Sequence, residues 1–164
     1  MNSEVLPDGS VAVAVTTSPT EDGDANLAAD LFGRMAENNV DYTVFFRRLC
    51  AAAASSENDA AVTSLFSDPG AFRGWAEGWR ERTSHEKDVT GEARAASMRQ
   101  ANPAFIPRNH RVEQLIESAE KDDYKPFEAL LSVCTHPFED NAELAHLADP
   151  PKADELVKAT FCGT

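Results

Sequence analysis

Apolar residues recur at three- and four-residue intervals through most of this sequence, and that spacing constrains what the chain can fold into. The clearest run is Phe72, Trp75, Ala76 and Trp79, at i, i+3, i+4 and i+7. Such spacing places side chains on one face of an α-helix. The composition agrees, because the chain has 26 Ala and 11 Leu but only two Ile, and β-branched residues favour strands. We therefore predict an all-α fold, an irregular bundle of about six to eight helices.

Capping residues and prolines divide this pattern into separate helices. Asp24, Asp41 and the pair Asp68-Pro69 are predicted helix starts, because Asp accepts hydrogen bonds at an N-terminus and Pro suits the first turn. Further helices are predicted over residues 57–66, 84–100, 108–121, 123–134, 142–148 and 153–159.

The first 20 residues differ from the rest of the chain. Val5 and the alternating run from Val11 to Val15 flank a Pro-Asp-Gly turn, which predicts a short, loose hairpin. A polar stretch follows it. We therefore predict a leader or linker over residues 1–20, unrelated to the fold, and one helical domain over residues 21–164.

Charge and cysteine usage restrict the partners and the compartment. The formal charge is −13, which argues against nucleic acid and anionic membranes as partners, since both require a basic face. No run approaches the roughly 18 apolar residues of a membrane span. Three cysteines in 164 residues do not form a disulfide framework. These features favour a cytoplasmic protein.

The sequence carries none of the short motifs that accompany common enzyme chemistry. It has no Gly-rich phosphate loop, no Gly-x-Ser-x-Gly and no Cys-x-x-Cys. Cys134 and His136 are the one close Cys/His pair, but Cys134 falls on an apolar stripe and is predicted to be buried. We therefore predict no catalytic, cofactor-binding or metal-binding residue. The aromatic stripe of Trp75, Trp79, Phe45 and Phe46 is expected to be core, with a ligand platform as the alternative.

Seven ordered segments of the chain nevertheless resemble the C-terminal region of the selenoprotein O family of protein adenylyltransferases. The most extended match is Asn102–Asn109, where the family reads N-P-x-x-hydrophobic-x-R-N. Asp122 stands where the family usually has Gly. The other matching segments are Asp41-Tyr42-Thr43 with Phe46-Arg47, Phe72 and Trp75 with Arg80 to Arg82, Ile116 to Asp123, His136-Pro137-Phe138, Pro150-Pro151, and Cys162.

The resemblance implies a kinase-like enzyme that uses ATP and Mg²⁺ to transfer AMP to Ser, Thr or Tyr hydroxyls of proteins. The family's ATP- and metal-binding residues lie upstream of the matched region, so we expect this chain to be inactive alone. The resemblance implies a structural or regulatory role beside the kinase-like lobe, with Cys162 as the redox candidate. We also expect self-association through an exposed apolar face. The alternative is a free-standing helical protein-interaction module, which would bind through the acidic leader or the aromatic helix Phe72–Trp79.

Overall fold

A computed structural model describes residues 3–5, 11–13 and 19–157, with side chains from residue 23 onward. The described chain contains seven α-helices, which confirms the predicted all-α class. They are α1 (Pro19–Glu37), α2 (Tyr42–Ala54), α3 (Asp59–Thr63), α4 (Pro69–Ser84), α5 (Gly91–Ala101), α6 (Asn109–Ala119) and α7 (Lys125–Cys134). Short 3₁₀ turns lie at Ser56–Asn58 and Ala145–Ala148.

Two three-residue strands precede the helices. Strands β1 (Ser3–Val5) and β2 (Val11–Val13) pair antiparallel, with Ser3 opposite Val13 and Val5 opposite Val11. The predicted Pro-Asp-Gly turn between them lies outside the described residues. Helix α1 begins at Pro19, two residues before the predicted domain boundary.

The helix boundaries follow from local hydrogen bonds. Asp41 accepts a bond of 2.9 Å from the Val44 amide at the start of α2, and Asp68 accepts one of 2.8 Å from the Gly70 amide at the start of α4. Each carboxylate satisfies an amide that has no partner within its helix. Helix α1 ends at Glu37, and Asn39 after it is left-handed, with a φ of 53°, as short polar residues allow.

Several of the predicted boundaries are wrong. The helix predicted over residues 142–148 is only the 3₁₀ turn Ala145–Ala148. Residues 84–100 do not form one helix: α4 ends at Ser84 and α5 begins at Gly91, because the Thr90 hydroxyl accepts from the Ala93 amide and caps a new start. Asp24 lies within α1 and pairs with Arg82 instead of capping. Residues 153–157 of the predicted last helix are not helical.

The main apolar core lies between α1, α2, α3 and α4. Phe45 of α2 is fully buried at its centre, and its ring contacts those of Phe66, Phe72 and Trp75 edge-on at 5.9–6.2 Å. Edge-to-face contacts of this kind add to the stabilisation from burial alone. We call this core cluster 1. Its buried members are Leu31, Met35, Phe45, Leu49, Ala52, Val62, Phe66, Phe72, Trp75 and Ala76.

A second, smaller core lies between α7, the segment before α6 and the 3₁₀ turn at Ala145–Ala148. Five buried apolar residues form it, and we call it cluster 2: Ala104, Phe105, Leu130, Val133 and Leu147. The amides of Ala104 and Phe105 both donate to the Pro137 carbonyl, at 2.7 and 3.2 Å. These bonds tie the segment before α6 to the turn after α7.

Candidate functional site

The two clusters meet at a partly buried ion pair. Arg108 precedes α6 and donates from Nη1 and Nη2 to the two carboxylate oxygens of Asp41, at 2.8 and 2.9 Å. Its Nε donates to the Ala148 carbonyl at 3.0 Å. The Arg108 side chain is only 7% exposed. One guanidinium therefore joins the start of α2 to the start of α6 and to the second 3₁₀ turn.

The electrostatics of this pair favour the ionised carboxylate. Burial alone would raise the pKa of Asp41, but the bonds from Arg108 and the Val44 amide, together with the Arg108 charge, hold that pKa below its usual value. Asp41 therefore serves both as the N-cap of α2 and as the anion that neutralises Arg108.

A second arginine, further along α2, also joins the clusters. Arg47 donates from Nη1 to the carbonyls of Arg99 and Asn102 at 3.3 and 3.0 Å. Its Nη2 donates to the Phe138 carbonyl at 3.2 Å and to Asp140 at 2.8 Å. This fork matches the geometry of a planar guanidinium. Arg47 thus holds the end of α5 and the segment after α7 against α2.

The aromatic stripe is core, as the sequence predicts. Phe45 and Trp75 are buried, Trp79 is half-buried, and the Trp75 indole donates to the Leu27 carbonyl at 2.9 Å. Phe72 is only 1% exposed. The aromatic helix therefore does not offer these rings as a binding surface, which contradicts that form of the interaction-module alternative.

The two described cysteines are structural thiols. Cys50 is fully buried and its thiol donates to the Phe46 carbonyl at 3.1 Å, while Cys134 is half-buried. Burial raises the pKa of both. High pKa values leave little thiolate, which is the reactive form. Cys162, the redox candidate, lies outside the described residues, and its role stays a prediction.

His110 is the one histidine with an unusual environment among the described side chains. It is 4% exposed, and its Nε2 has no hydrogen-bond partner in the described part of the molecule. Burial lowers its pKa, and the nearby Arg111 charge adds to the effect. His85, His136 and His146 are exposed. Within residues 3–5, 11–13 and 19–157, no three His, Cys, Asp or Glu side chains lie close enough to hold a metal ion.

Comparison with known proteins places the chain in a family. The family model described as "Protein adenylyltransferase SelO" matches residues 13–135, which is more than half of the chain. The chain belongs to the SelO family. The protein nucleotidyltransferase YdiU of Nitrobacter winogradskyi is 48% identical over 143 residues, which cover 87% of this chain. The YdiU of Methylorubrum populi is 49% identical over 150 residues.

The match covers a small part of these SelO-family relatives. The chain spans 28% of the length of the Nitrobacter protein and 30% of the Methylorubrum protein. Both buried clusters lie mostly within the matched residues 13–135, and cluster 2 extends past them through Leu147.

The residues that carry the SelO resemblance meet inside the molecule. Asp41, Arg47 and Arg108 come from two separate motifs, and the structure places all three at the junction of the clusters. Sequence reasoning identified the motifs but missed the pairing of Asp41 with Arg108, which are 67 residues apart. The signal that could have indicated this pairing is Arg108 itself, an arginine just before a helix.

No helix among the described residues combines the length and the apolar character needed to cross a membrane.

Proposed function

We propose that this chain is a structural, non-catalytic module of a SelO-type protein nucleotidyltransferase. The observation that carries the proposal is the use of the motif residues. Arg108 pairs with Asp41, and Arg47 pairs with Asp140. Both arginines also donate to backbone carbonyls within the chain. Polar groups engaged in this way hold a fold together instead of facing a substrate. The module would pack against the part of the protein that binds the nucleotide.

The resemblance supplies the activity that this module would support. A whole protein of this type would bind ATP and Mg²⁺ in a kinase-like part and transfer AMP to Ser, Thr or Tyr hydroxyls of other proteins. The names of the relatives, protein nucleotidyltransferases, agree with that reaction class. The present chain would contribute stability and a docking surface.

A labelling assay tests the proposal. The purified chain is incubated with Mg²⁺ and ATP labelled in the α-phosphate, alone and with denatured casein as acceptor. We expect no protein-bound label, whereas the full-length Nitrobacter relative serves as the positive control. Reproducible labelling by this chain alone would overturn the proposal.

A chimera tests the structural role. The matching segment of the Nitrobacter relative is replaced by this chain, and labelling is compared with that of the intact relative and of the relative without the segment. We expect the chimera to label and the shortened protein to lose both labelling and its cooperative thermal transition. A shortened protein with full activity would contradict the structural role.

The interaction-module alternative has one observation in its favour. Phe32 and Tyr42 are 46% and 60% exposed, and their rings stack at 6.1 Å, with Phe46 at 4.6 Å from Tyr42. Exposed aromatic groups of this kind are typical of interfaces. Capture of a protein from outside the SelO family, lost in a Tyr42→Ser variant, would favour this alternative.

A further inference from the structure

A pocket of about 490 Å³ lies between α6 and residues 154–157. Four carboxylate side chains line it, and none of the described residues in the lining is a Lys or an Arg. We call it the acidic pocket. None of the four carboxylates forms a salt bridge with any residue that the structure describes, so their charge is available to a ligand. They belong to Glu113, Glu117, Asp154 and Glu155.

Hydrogen bonds hold one wall of the acidic pocket in place. The Gln114 side chain donates to Oε1 of Glu155 at 3.2 Å, and the Lys152 amide donates to its Oε2 at 2.9 Å. The bond from the Lys152 amide, together with that from Gln114, keeps the pKa of Glu155 below its usual value. Glu155 is therefore an oriented carboxylate that stays ionised at neutral pH.

His110 forms the floor of the acidic pocket, because it is the one buried residue of the described lining. Only 4% of this residue is exposed, and its Nε2 has no hydrogen-bond partner in the described part of the chain. A buried nitrogen without a partner costs free energy that a ligand can recover. Burial, with the Arg111 charge, lowers the pKa of His110, so near neutral pH the ring is uncharged and one of its nitrogens accepts. The floor therefore suits an N–H donor, and the walls suit a positive charge.

The acidic pocket is long enough for more than one ammonium group. His110, Glu113 and Glu117 share one face of α6 at i, i+3 and i+7, and that spacing spans about 10 Å along the helix axis. A single ammonium group cannot contact both ends of such a row. Leu156 and Val157 add apolar surface to the same lining, against which methylene groups can pack.

We propose that the acidic pocket binds a linear polyamine, a methylene chain that carries two or more ammonium groups. One ammonium group donates to Nε2 of His110, and the others pair with the carboxylates of the walls. The methylene groups pack on Leu156 and Val157. A metal ion suits the pocket less well, because it needs several ligands close together, and no three His, Cys, Asp or Glu side chains of the described chain are arranged in that way.

Isothermal titration calorimetry of the full chain with spermidine tests the proposal. The titration is carried out at about pH 7.5, where His110 is uncharged. It uses about 0.15 M salt, which screens the diffuse attraction of the −13 charge. We expect saturable binding of one spermidine per chain. N-acetyl-lysine amide, which carries a single ammonium group, should bind at least about tenfold more weakly, because it cannot contact both ends of the pocket.

Substitutions locate the binding. Glu113→Gln and Glu117→Gln should each weaken it by about threefold, as expected for the loss of one exposed ion pair. The matched control is Glu77→Gln, which neutralises an exposed glutamate of α4 outside the pocket and should leave the affinity unchanged. His110→Phe keeps an aromatic ring but removes the acceptor, and it should weaken binding by about fivefold.

The natural chain supplies a second readout that does not depend on how the His110→Phe variant folds. The NMR chemical shift of His110 Nε2 should change when spermidine is added, because this nitrogen gains a hydrogen bond. An unchanged shift at saturation, the absence of saturable binding, or equal weakening by Glu77→Gln and Glu113→Gln would each overturn the proposal. Equal affinity for N-acetyl-lysine amide would assign the pocket to a single Lys side chain instead, and displacement of spermidine by equimolar Mg²⁺ would assign it to a metal ion.

Discussion

At the scale of single residues, Asp122 occupies a position with a strict backbone requirement. Its φ is 61°. The Asp122 amide donates to the Ala119 carbonyl and the Asp123 amide to the Ser118 carbonyl, both at 3.0 Å. These two bonds form the Schellman motif that ends α6, and its left-handed residue is most often Gly. Backbone geometry therefore explains why the resemblance leads us to expect Gly at this position.

Replacing Asp122 by Gly should stabilise the chain. Gly adopts a positive φ without the steric cost that a Cβ brings, so we expect Asp122→Gly to raise the free energy of unfolding by about 0.5–1 kcal/mol. Urea unfolding measures the change. Asp122→Ala is the control, since it removes the charge and keeps the Cβ. A gain of equal size in both variants would assign the effect to charge instead of backbone conformation.

His110 should make stability depend on pH. Burial, with the Arg111 charge, lowers its pKa in the folded chain, whereas the unfolded value is about 6.5. Below about pH 6.5 the unfolded state therefore binds more protons than the folded state. The free energy of unfolding should fall as the pH drops from about 6.5 to the folded pKa, with no further loss from this group below it.

Urea unfolding at about pH 7.5 and about pH 5.5 measures this contribution. His110→Gln, which does not titrate, should lose less stability between the two pH values than the natural chain does. The exposed His85 supplies the control, and His85→Gln should keep the full pH dependence. Equal pH dependence in His110→Gln and the natural chain would contradict the assignment.

At the scale of elements, the packing of α5 on α2 depends on Gly91. A Cβ placed on Gly91 would lie 2.7 Å from the Ala54 carbonyl oxygen and 3.0 Å from that of Ala53. Both obstacles are backbone atoms at the end of α2, so they cannot turn away as a flexible side chain would. The N-terminus of α5 can therefore approach α2 this closely only because Gly91 has no side chain.

The Gly91→Ala variant should lose about 2 kcal/mol in its free energy of unfolding, because overpacking at backbone contacts costs about 1–3 kcal/mol. Gly33→Ala is the matched comparison within a helix. A Cβ placed on Gly33 would meet nothing within 4 Å, so the higher helix propensity of Ala should add about 0.5–1 kcal/mol. Chemical denaturation measures both variants. We expect the free energy of unfolding to fall in Gly91→Ala and to rise in Gly33→Ala.

The sequence predicts most helices because their signals are local. Apolar spacing and the caps Asp41 and Asp68 identify α2 and α4 from neighbouring residues alone. The helix after α4 was predicted to begin at Ser84, but α5 begins at Gly91. The polar run before Thr90 has no strong stop signal, and the close approach of Gly91 to α2 is a tertiary contact that a single sequence does not show. The pairing of Asp41 with Arg108 was missed for the same reason. Contacts between distant segments leave no periodic pattern in a single sequence.

At the scale of the whole molecule, cluster 2 depends on cluster 1. It buries five apolar residues, and α6 adds none. Five buried side chains are a small core, and small domains bury too little of their surface to be more than marginally stable. Arg47 and Arg108 connect it to α2. We therefore infer that the two clusters unfold together as long as these arginines are in place.

Arg108→Lys tests that connection. A lysine keeps the charge but cannot bond both oxygens of Asp41 and the Ala148 carbonyl at once, so we expect a loss of about 2–3 kcal/mol. Amides of α6 and α7 should then exchange with deuterium faster than those of α2 and α4, because cluster 2 opens first. Arg34→Lys, at a more exposed pair with Asp30, should cost less than about 1 kcal/mol. Uniformly faster exchange in all four helices would show that Arg108 stabilises the fold without joining two separable parts.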